Sequence, residues 1–188
     1  MKTNYIDLIQ QAFEFPNEEF NVNEDGELEW FNIPLMDVIK QYGTPLRICY
    51  LPKIAENIRK VRRMFNVAFA KVDYDADYNY CYCSKSSHFE FVMSEVLKNN
   101  VNIETSSAFD INILESLHET GQLSTDTYIL CNGFKRPQYV ENIQNLIGKG
   151  FRNVIPILDN KFELDLFDQE VVPDLKVGIR IASEEEPK

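Results

Sequence analysis

The sequence predicts an α/β fold in which parallel strands are joined by helices, and three observations predict it. From Thr44 onward, short β-like runs alternate with runs of helical period. Each strand-plus-helix unit takes roughly 20–30 residues, the length a crossover between parallel strands requires. Pro52 and Pro137 stand where first-turn prolines start helices, and Gly121 and Gly148 stand where the chain leaves them.

The first 44 residues precede this pattern. They hold a short amphipathic stretch (Tyr5, Ile6, Leu8, Ile9, Phe13), the turn-prone run Asn23-Glu24-Asp25-Gly26, and a helix expected over Leu35–Gln41, which follows Pro34 and is ended by Gly43. A first strand is expected over Leu46–Tyr50, trailed by helical spacing at Ile54, Ile58, Val61 and Phe65. The next is Tyr78–Cys83, followed by Phe89, Val92, Met93, Val96 and Leu97. Val101–Thr105 precedes Phe109, Ile113, Leu114 and Leu117; Thr127–Cys131 precedes Tyr139, Val140, Ile143, Leu146 and Ile147. Val154–Leu158 precedes Phe162 and Leu166, and Leu175–Ile181 is the last strand expected.

Parallel strands with right-handed crossovers form either an open doubly wound sheet or a (β/α)8 barrel. A dinucleotide-binding sheet of the first kind carries G-x-G-x-x-G after its first strand, whereas Leu51-Pro52-Lys53-Ile54-Ala55 has no glycine there. The barrel is therefore the expected architecture, preceded by an acidic N-terminal arm.

With 188 residues, 44% hydrophobic and 12% aromatic, the chain can bury a real core. Its 19 basic and 30 acidic residues give a net charge of −11, which repels phosphate and argues against nucleic acid as a partner. Much of that charge sits in residues 1–44, where nine acids face only Lys2 and Lys40. No run approaches the roughly 20 apolar residues of a membrane span, and the start MKTNYIDLIQQAFEF lacks a secretory leader's apolar core, so a cytoplasmic protein without membrane partners is expected. Cys49, Cys81, Cys83 and Cys131 each lie in apolar or alternating runs and are expected to behave as small buried hydrophobes. Cys81-Tyr82-Cys83 with His88 lacks the turn that lets paired cysteines wrap zinc, so no metal is expected.

Reacting groups of parallel α/β folds sit at the C-terminal ends of strands. There, Tyr80-Cys81-Tyr82-Cys83-Ser84-Lys85-Ser86-Ser87 closes an uncharged aromatic run on an amine. A partly buried lysine amine can attack an aldehyde to form an imine; a lysine that only begins the next helix and reaches solvent would occupy the same place.

Tyr82-Cys83-Ser84-Lys85-Ser86-Ser87, followed by Ile103-Glu104-Thr105-Ser106-Ser107 and a helix, resembles the Tyr-Ala-x-Lys-x-Asn and Asp-x-x-Ser pattern of pyridoxal-phosphate enzymes of the alanine racemase and ornithine decarboxylase fold. Tyr42-Gly43-Thr44-Pro45-Leu46 resembles that family's first strand. Leu130-Cys131-Asn132-Gly133-Phe134-Lys135 resembles the Cys-Asn-Gly-Tyr-Lys run of biosynthetic arginine decarboxylases, and Val177-Gly178-Ile179-Arg180-Ile181-Ala182-Ser183 resembles their Gly-x-Arg-x-x-Leu-Ala-Ser strand. The matches run in order from Tyr42 to Ser183, and the whole is most similar to arginine decarboxylases of the Bacteroides type.

The resemblance implies a barrel of the alanine racemase N-terminal type with pyridoxal 5'-phosphate as cofactor. Lys85 would hold the cofactor as a Schiff base, Glu104 would be the strand-end acid near it, and Arg180 would lie close to the cofactor. Lys85 and Glu104 are thus the catalytic candidates, and Lys85 and Arg180 the cofactor-binding ones. Glu104 in a plain salt bridge remains an equal reading of that carboxylate. Asn132 and Lys135 would line the pocket or serve structure, and Asp110 opens a helix where a carboxylate also complements the dipole. Ser87 departs from the family's Asn or Gln, and His88 comes too early for its ring-stacking histidine.

The implied reaction is decarboxylation of arginine to agmatine in polyamine biosynthesis, with a small amino-acid substrate and a homo-oligomer when full length. A sibling decarboxylase acting on diaminopimelate, ornithine or carboxynorspermidine, and a non-catalytic decarboxylase-like interaction protein, are the alternatives. The seven glycines are dispersed and form no phosphate-cradling loop. If Leu46–Tyr50 belongs with a β domain, five barrel strands remain, too few to close. Residues 1–44 are therefore expected as the acidic arm and 45–188 as a partial barrel, the N-terminal portion of a longer enzyme whose remaining strands and β domain lie beyond.

Overall fold

A computed structural model describes residues 19–167 and 172–181; the amphipathic stretch expected at 5–13 and the end of the Val177–Ser183 motif fall outside them. The chain divides into two units, Met1–Cys49 and Tyr50–Lys188.

In the first unit, Phe20–Val22 (β1) pairs antiparallel with Leu28–Trp30 (β2), which pairs with Ile33–Pro34 (β3). The turn read at Asn23–Gly26 joins β1 to β2. Asn23 Oδ1 accepts from the amides of Asp25 (3.1 Å) and Glu27 (2.9 Å), and Gly26 takes φ 77°. The strands themselves are an unexpected element. Phe31 and Asn32, at φ 49° and 62°, make the second turn, and a phenylalanine in the left-handed region gives no turn signal in sequence. Helix α1 (Leu35–Tyr42) follows and closes on Gly43, whose amide donates to Ile39 O at 2.8 Å.

Leu46–Tyr50 is not a strand, contrary to expectation. A lone extended run has no neighbour for its backbone groups, and among the described residues none pairs with it. Cys49 is exposed rather than buried, because its apolar run packs no second layer.

The second unit begins with α2 (Pro52–Lys71), Pro52 occupying its first turn. Five parallel strands follow: β4 (Cys81–Cys83), β5 (Asn102–Thr105), β6 (Ile129–Cys131), β7 (Val154–Leu158) and β8 (Gly178–Ile179). They coincide with the five runs expected, Val154–Leu158 to the residue and the other four shortened. Between them lie α3 (Glu90–Leu97), α4 (Ala108–Glu119) and α5 (Pro137–Gly148), while Lys161–Leu166 after β7 is a 3-10 helix. The expected stripe Phe162 and Leu166 is exposed there, and the buried side chain is Glu163.

Spatial order follows chain order, β4-β5-β6-β7-β8, with no reversal. Right-handed crossovers in unreversed order carry successive helices to the same side, and burial agrees. Ile103, Ile129, Cys131, Val154 and Leu158 are buried against Met93 and Val96 of α3, Ile111 and Leu114 of α4, and Ile143 and Leu146 of α5. Each such side chain contributes about 1.5–3 kcal/mol by leaving water, which far outweighs the helices' intrinsic propensities. The alternate residues Glu104, Leu130, Ile155 and Ile157 are only half-buried and line the other face. The fold is therefore α/β with an open parallel sheet covered by helices on one side. Among the described residues no helix is long and apolar enough to cross a membrane.

Candidate functional site

Strand parity decides which rim residues share the uncovered face. Cys83 pairs in register with Glu104, and Glu104 with Leu130; Ile157 pairs with Gly178. Cys83 and Glu104 therefore stand side by side on that face, and continuing the alternation puts Asn132, Asp159 and Arg180 on the same side at the C-terminal rim.

Lys85 sits in the 3-10 turn Ser84–Ser86 directly after β4. Buried Ser84 donates through Oγ to Glu104 O at 3.0 Å, and Tyr82 Oη donates to Ser87 O at 2.9 Å, so the turn is tied at both ends. Lys85 itself is exposed, and its ammonium makes no hydrogen bond or ion pair among the described residues. The lysine thus reaches solvent while the backbone that carries it is fixed.

Glu104 Oε1 accepts from Asn132 Nδ2 at 3.2 Å and from Cys83 Sγ at 3.4 Å. Burial, then the hydrogen bond and charge of Glu104, push the Cys83 thiol above its ordinary range, with the Lys85 amide and ammonium pulling weakly the other way. The Cys81 thiol is raised as well, by burial and then by Glu104. Lys85 and Glu104 are thereby both placed within electrostatic reach of one thiol.

Arg180 is placed elsewhere. Its amide donates to Leu158 O at 2.9 Å, extending β8, and its guanidinium donates to Asp159 Oδ1 at 3.4 Å. Its partner is therefore Asp159, whereas the resemblance implied a place close to the cofactor. Four strand spacings separate β4 from β8, about 19 Å in a sheet of this kind. The strand register sets the turn that carries Lys85 next to the strand of Glu104 and leaves Arg180 at the opposite edge.

Lys135 does not line the rim. It is 1% exposed; its Nζ donates to Gly133 O (2.5 Å) and Ile157 O (2.6 Å) and lies 5.6 Å from the Tyr139 ring centroid. Burial lowers its ammonium below the ordinary lysine value, opposed by Glu163, Cys131 and Asp159. Glu163, 2% exposed, accepts the amides of Lys135 (3.0 Å) and Asp159 (2.9 Å) and so joins the loops after β6 and β7. Sequence reasoning missed Glu163. Its signal was Asn160-Lys161-Phe162-Glu163, the spacing of a capping residue and its partner, and Asn160 Oδ1 does accept the Glu163 amide at 3.2 Å.

Asp110 is buried at the start of α4. Its Oδ2 accepts from Ser106 N (2.8 Å) and Ser107 Oγ (3.0 Å), which is a capping arrangement at a helix N-terminus. His88 packs against Phe89 and Phe109, ring centroids 6.1 Å apart in each case. Burial pushes the Cys131 thiol up to about 11. Among the described residues no three His, Cys, Asp or Glu side chains gather in a way that could hold a metal ion.

An aldehyde cofactor needs an accessible amine on fixed backbone with an acid beside it, and Lys85 with Glu104 fits that part of the requirement. A phosphate needs converging amide donors. The nearest glycine turn, at Gly133, is closed to it, since the Gly133 amide already donates to Asn132 Oδ1 at 2.9 Å. No protein-family model and no curated protein matches the chain.

Proposed function

We propose that the chain carries the lysine-bearing part of a pyridoxal-phosphate amino-acid decarboxylase acting on arginine, built on a barrel of the alanine racemase type. The observation that carries the reading is the exposed Lys85 amine, unpaired among the described residues, on a fixed turn at the strand ends, with the Glu104 carboxylate on the neighbouring strand. The unreversed strand order with helices on one side supports a barrel segment over a doubly wound sheet, whose order reverses at its ligand crevice. The matches from Tyr42 to Ser183 support arginine as the substrate.

Lys85 would hold the cofactor through its amine. The Arg180 guanidinium, at the opposite sheet edge and hydrogen-bonded to Asp159, is given no part in holding it. When bound, the cofactor supplies the electron sink that lets the carboxylate leave as carbon dioxide. The protein's part is orientation and proton handling. Glu104 offers a carboxylate to which a proton can pass from a nearby amine. The half-buried apolar side chains Leu130 and Ile155 keep the adjoining sheet face free of competing polar groups.

Release of carbon dioxide from carboxyl-labelled arginine, with ornithine and diaminopimelate in parallel, tests the reading. Arginine is expected to be the preferred substrate in the presence of pyridoxal phosphate, and Lys85→Ala to abolish release. Equal release by wild type and Lys85→Ala would sink the assignment of the lysine, and preference for another amino acid would replace arginine.

A further inference from the structure

We infer that Cys83 and Asn132 are positioning residues for Glu104: they hold its Oε1 and leave Oε2 for the amine at Lys85. The inference rests on the cofactor reading of Lys85 and deepens it.

Three observations carry it. First, both donors converge on a single carboxylate oxygen, Asn132 Nδ2 at 3.2 Å and Cys83 Sγ at 3.4 Å, and no described residue hydrogen-bonds Oε2. A half-buried glutamate at a solvent-facing rim would otherwise rotate about its terminal torsion.

Second, neither donor is free to turn away. Asn132 Oδ1 accepts the Gly133 amide at 2.9 Å, so Nδ2 is the end that faces Glu104, and the Asn132 amide is fixed by Thr105 O at 2.8 Å. Gly133 sits at φ 81°, where an added Cβ would lie 2.4 Å from Ser106 O, so the turn that aims Asn132 admits no other residue without moving. Cys83 is held opposite Glu104 by the β4–β5 register. Burial and Glu104 itself keep its thiol protonated, and therefore a donor.

Third, the thiol supplies a donor that the resembled motif does not. The Tyr-Ala-x-Lys pattern that Tyr82–Lys85 resembles has alanine at the position of Cys83 and provides no donor there. The charged groups that act on the thiol are Glu104 from β5 and Lys85 from its own turn; Cys81 on the same strand, and Asp159 and Arg180 farther along the sheet, are the other titratable groups placed on that face.

The test uses the 188-residue chain and has two readouts. Without cofactor, alkylation of Cys83 by iodoacetamide at neutral pH, located by peptide mass spectrometry, is expected to be several-fold faster in Glu104→Gln, because a neutral amide no longer opposes thiolate formation. Equal rates would overturn the contact between thiol and carboxylate. With pyridoxal phosphate, the rate of borohydride-trapped attachment at Lys85 is expected to fall about 10-fold or more in Glu104→Gln, Cys83→Ala and Asn132→Ala, within the range that misplacing a reacting group costs. Cys83→Ser is expected to keep the wild-type rate by restoring a donor, and Cys83→Ala with Glu104→Gln to be no slower than Glu104→Gln alone. Wild-type attachment in Cys83→Ala, or additive losses in the double variant, would overturn the positioning role. No attachment in wild type, with the alkylation contrast intact, would overturn the cofactor reading and with it the purpose assigned to Glu104, while leaving the contact standing.

Discussion

Glu163→Ala is expected to lower the stability of the parallel sheet unit by about 2–6 kcal/mol, at about 1–3 kcal/mol for each of the two amide donors left without an acceptor. Glu163 is 2% exposed and Lys135 1%, so neither can recover hydration in place. The substitution leaves the Lys135 and Asp159 amides without acceptors and removes the charge that most opposes the lowering of the Lys135 ammonium. The loops after β6 and β7 lose the tie that Glu163 makes between the Lys135 and Asp159 amides, while Lys135 Nζ still holds Gly133 O and Ile157 O. Urea denaturation followed by far-ultraviolet circular dichroism measures it. Glu163→Gln should fall between wild type and alanine, since one amide oxygen remains as acceptor. A loss below about 1 kcal/mol for alanine, the level of an ordinary surface substitution, would show that Glu163 is not the buried acceptor described.

Gly133→Ala should cost about 3 kcal/mol, from two sources that a control separates. The left-handed backbone at φ 81° costs an L-residue about 1–2 kcal/mol. The added Cβ, 2.4 Å from the backbone oxygen of Ser106, adds an overpacking cost of about 1–3 kcal/mol, and no flexible side chain is there to give way. Gly121 shares the backbone conformation, φ 74°, but a Cβ there would meet nothing within 4 Å. Gly121→Ala should therefore show the backbone term alone, about 1–2 kcal/mol. Equal losses at the two sites would remove the close approach of the β5 and β6 loops from the picture.

The parallel sheet was legible because its strands are bounded by strong punctuation and alternate with helices whose apolar positions face one core. Val154–Leu158 was read to the residue. Tyr78–Cys83 and Leu175–Ile181 were read too long, because aromatic and apolar residues continue past the last backbone pairing. The antiparallel sheet was not legible: three short strands give no periodicity, and the Phe31-Asn32 turn carries no glycine. Leu46–Tyr50 was read as a strand because composition cannot reveal whether a partner is present.

At the site, Lys85 and Glu104 were legible as strand-end residues with matching motif positions, and the structure sets their strands side by side. Arg180 was read from the same kind of match, yet it lies across the sheet and pairs with Asp159. A linear motif records strand ends but not how many strands lie between them. Lys135 stood in a motif and is buried structure, whereas Glu163 stood in no motif and joins two rim loops. Burial of a charged pair follows from loop geometry, which neither residue type announces.

The place where the cofactor joins the chain is the most direct measurement. After incubation with pyridoxal phosphate and borohydride reduction, peptide mass spectrometry should find the added mass on the peptide containing Lys85, saturating at one per chain and absent in Lys85→Ala. Modification spread equally over solvent-facing lysines such as Lys98 and Lys149, or an unmodified Lys85 peptide, would contradict the proposed role of this strand end.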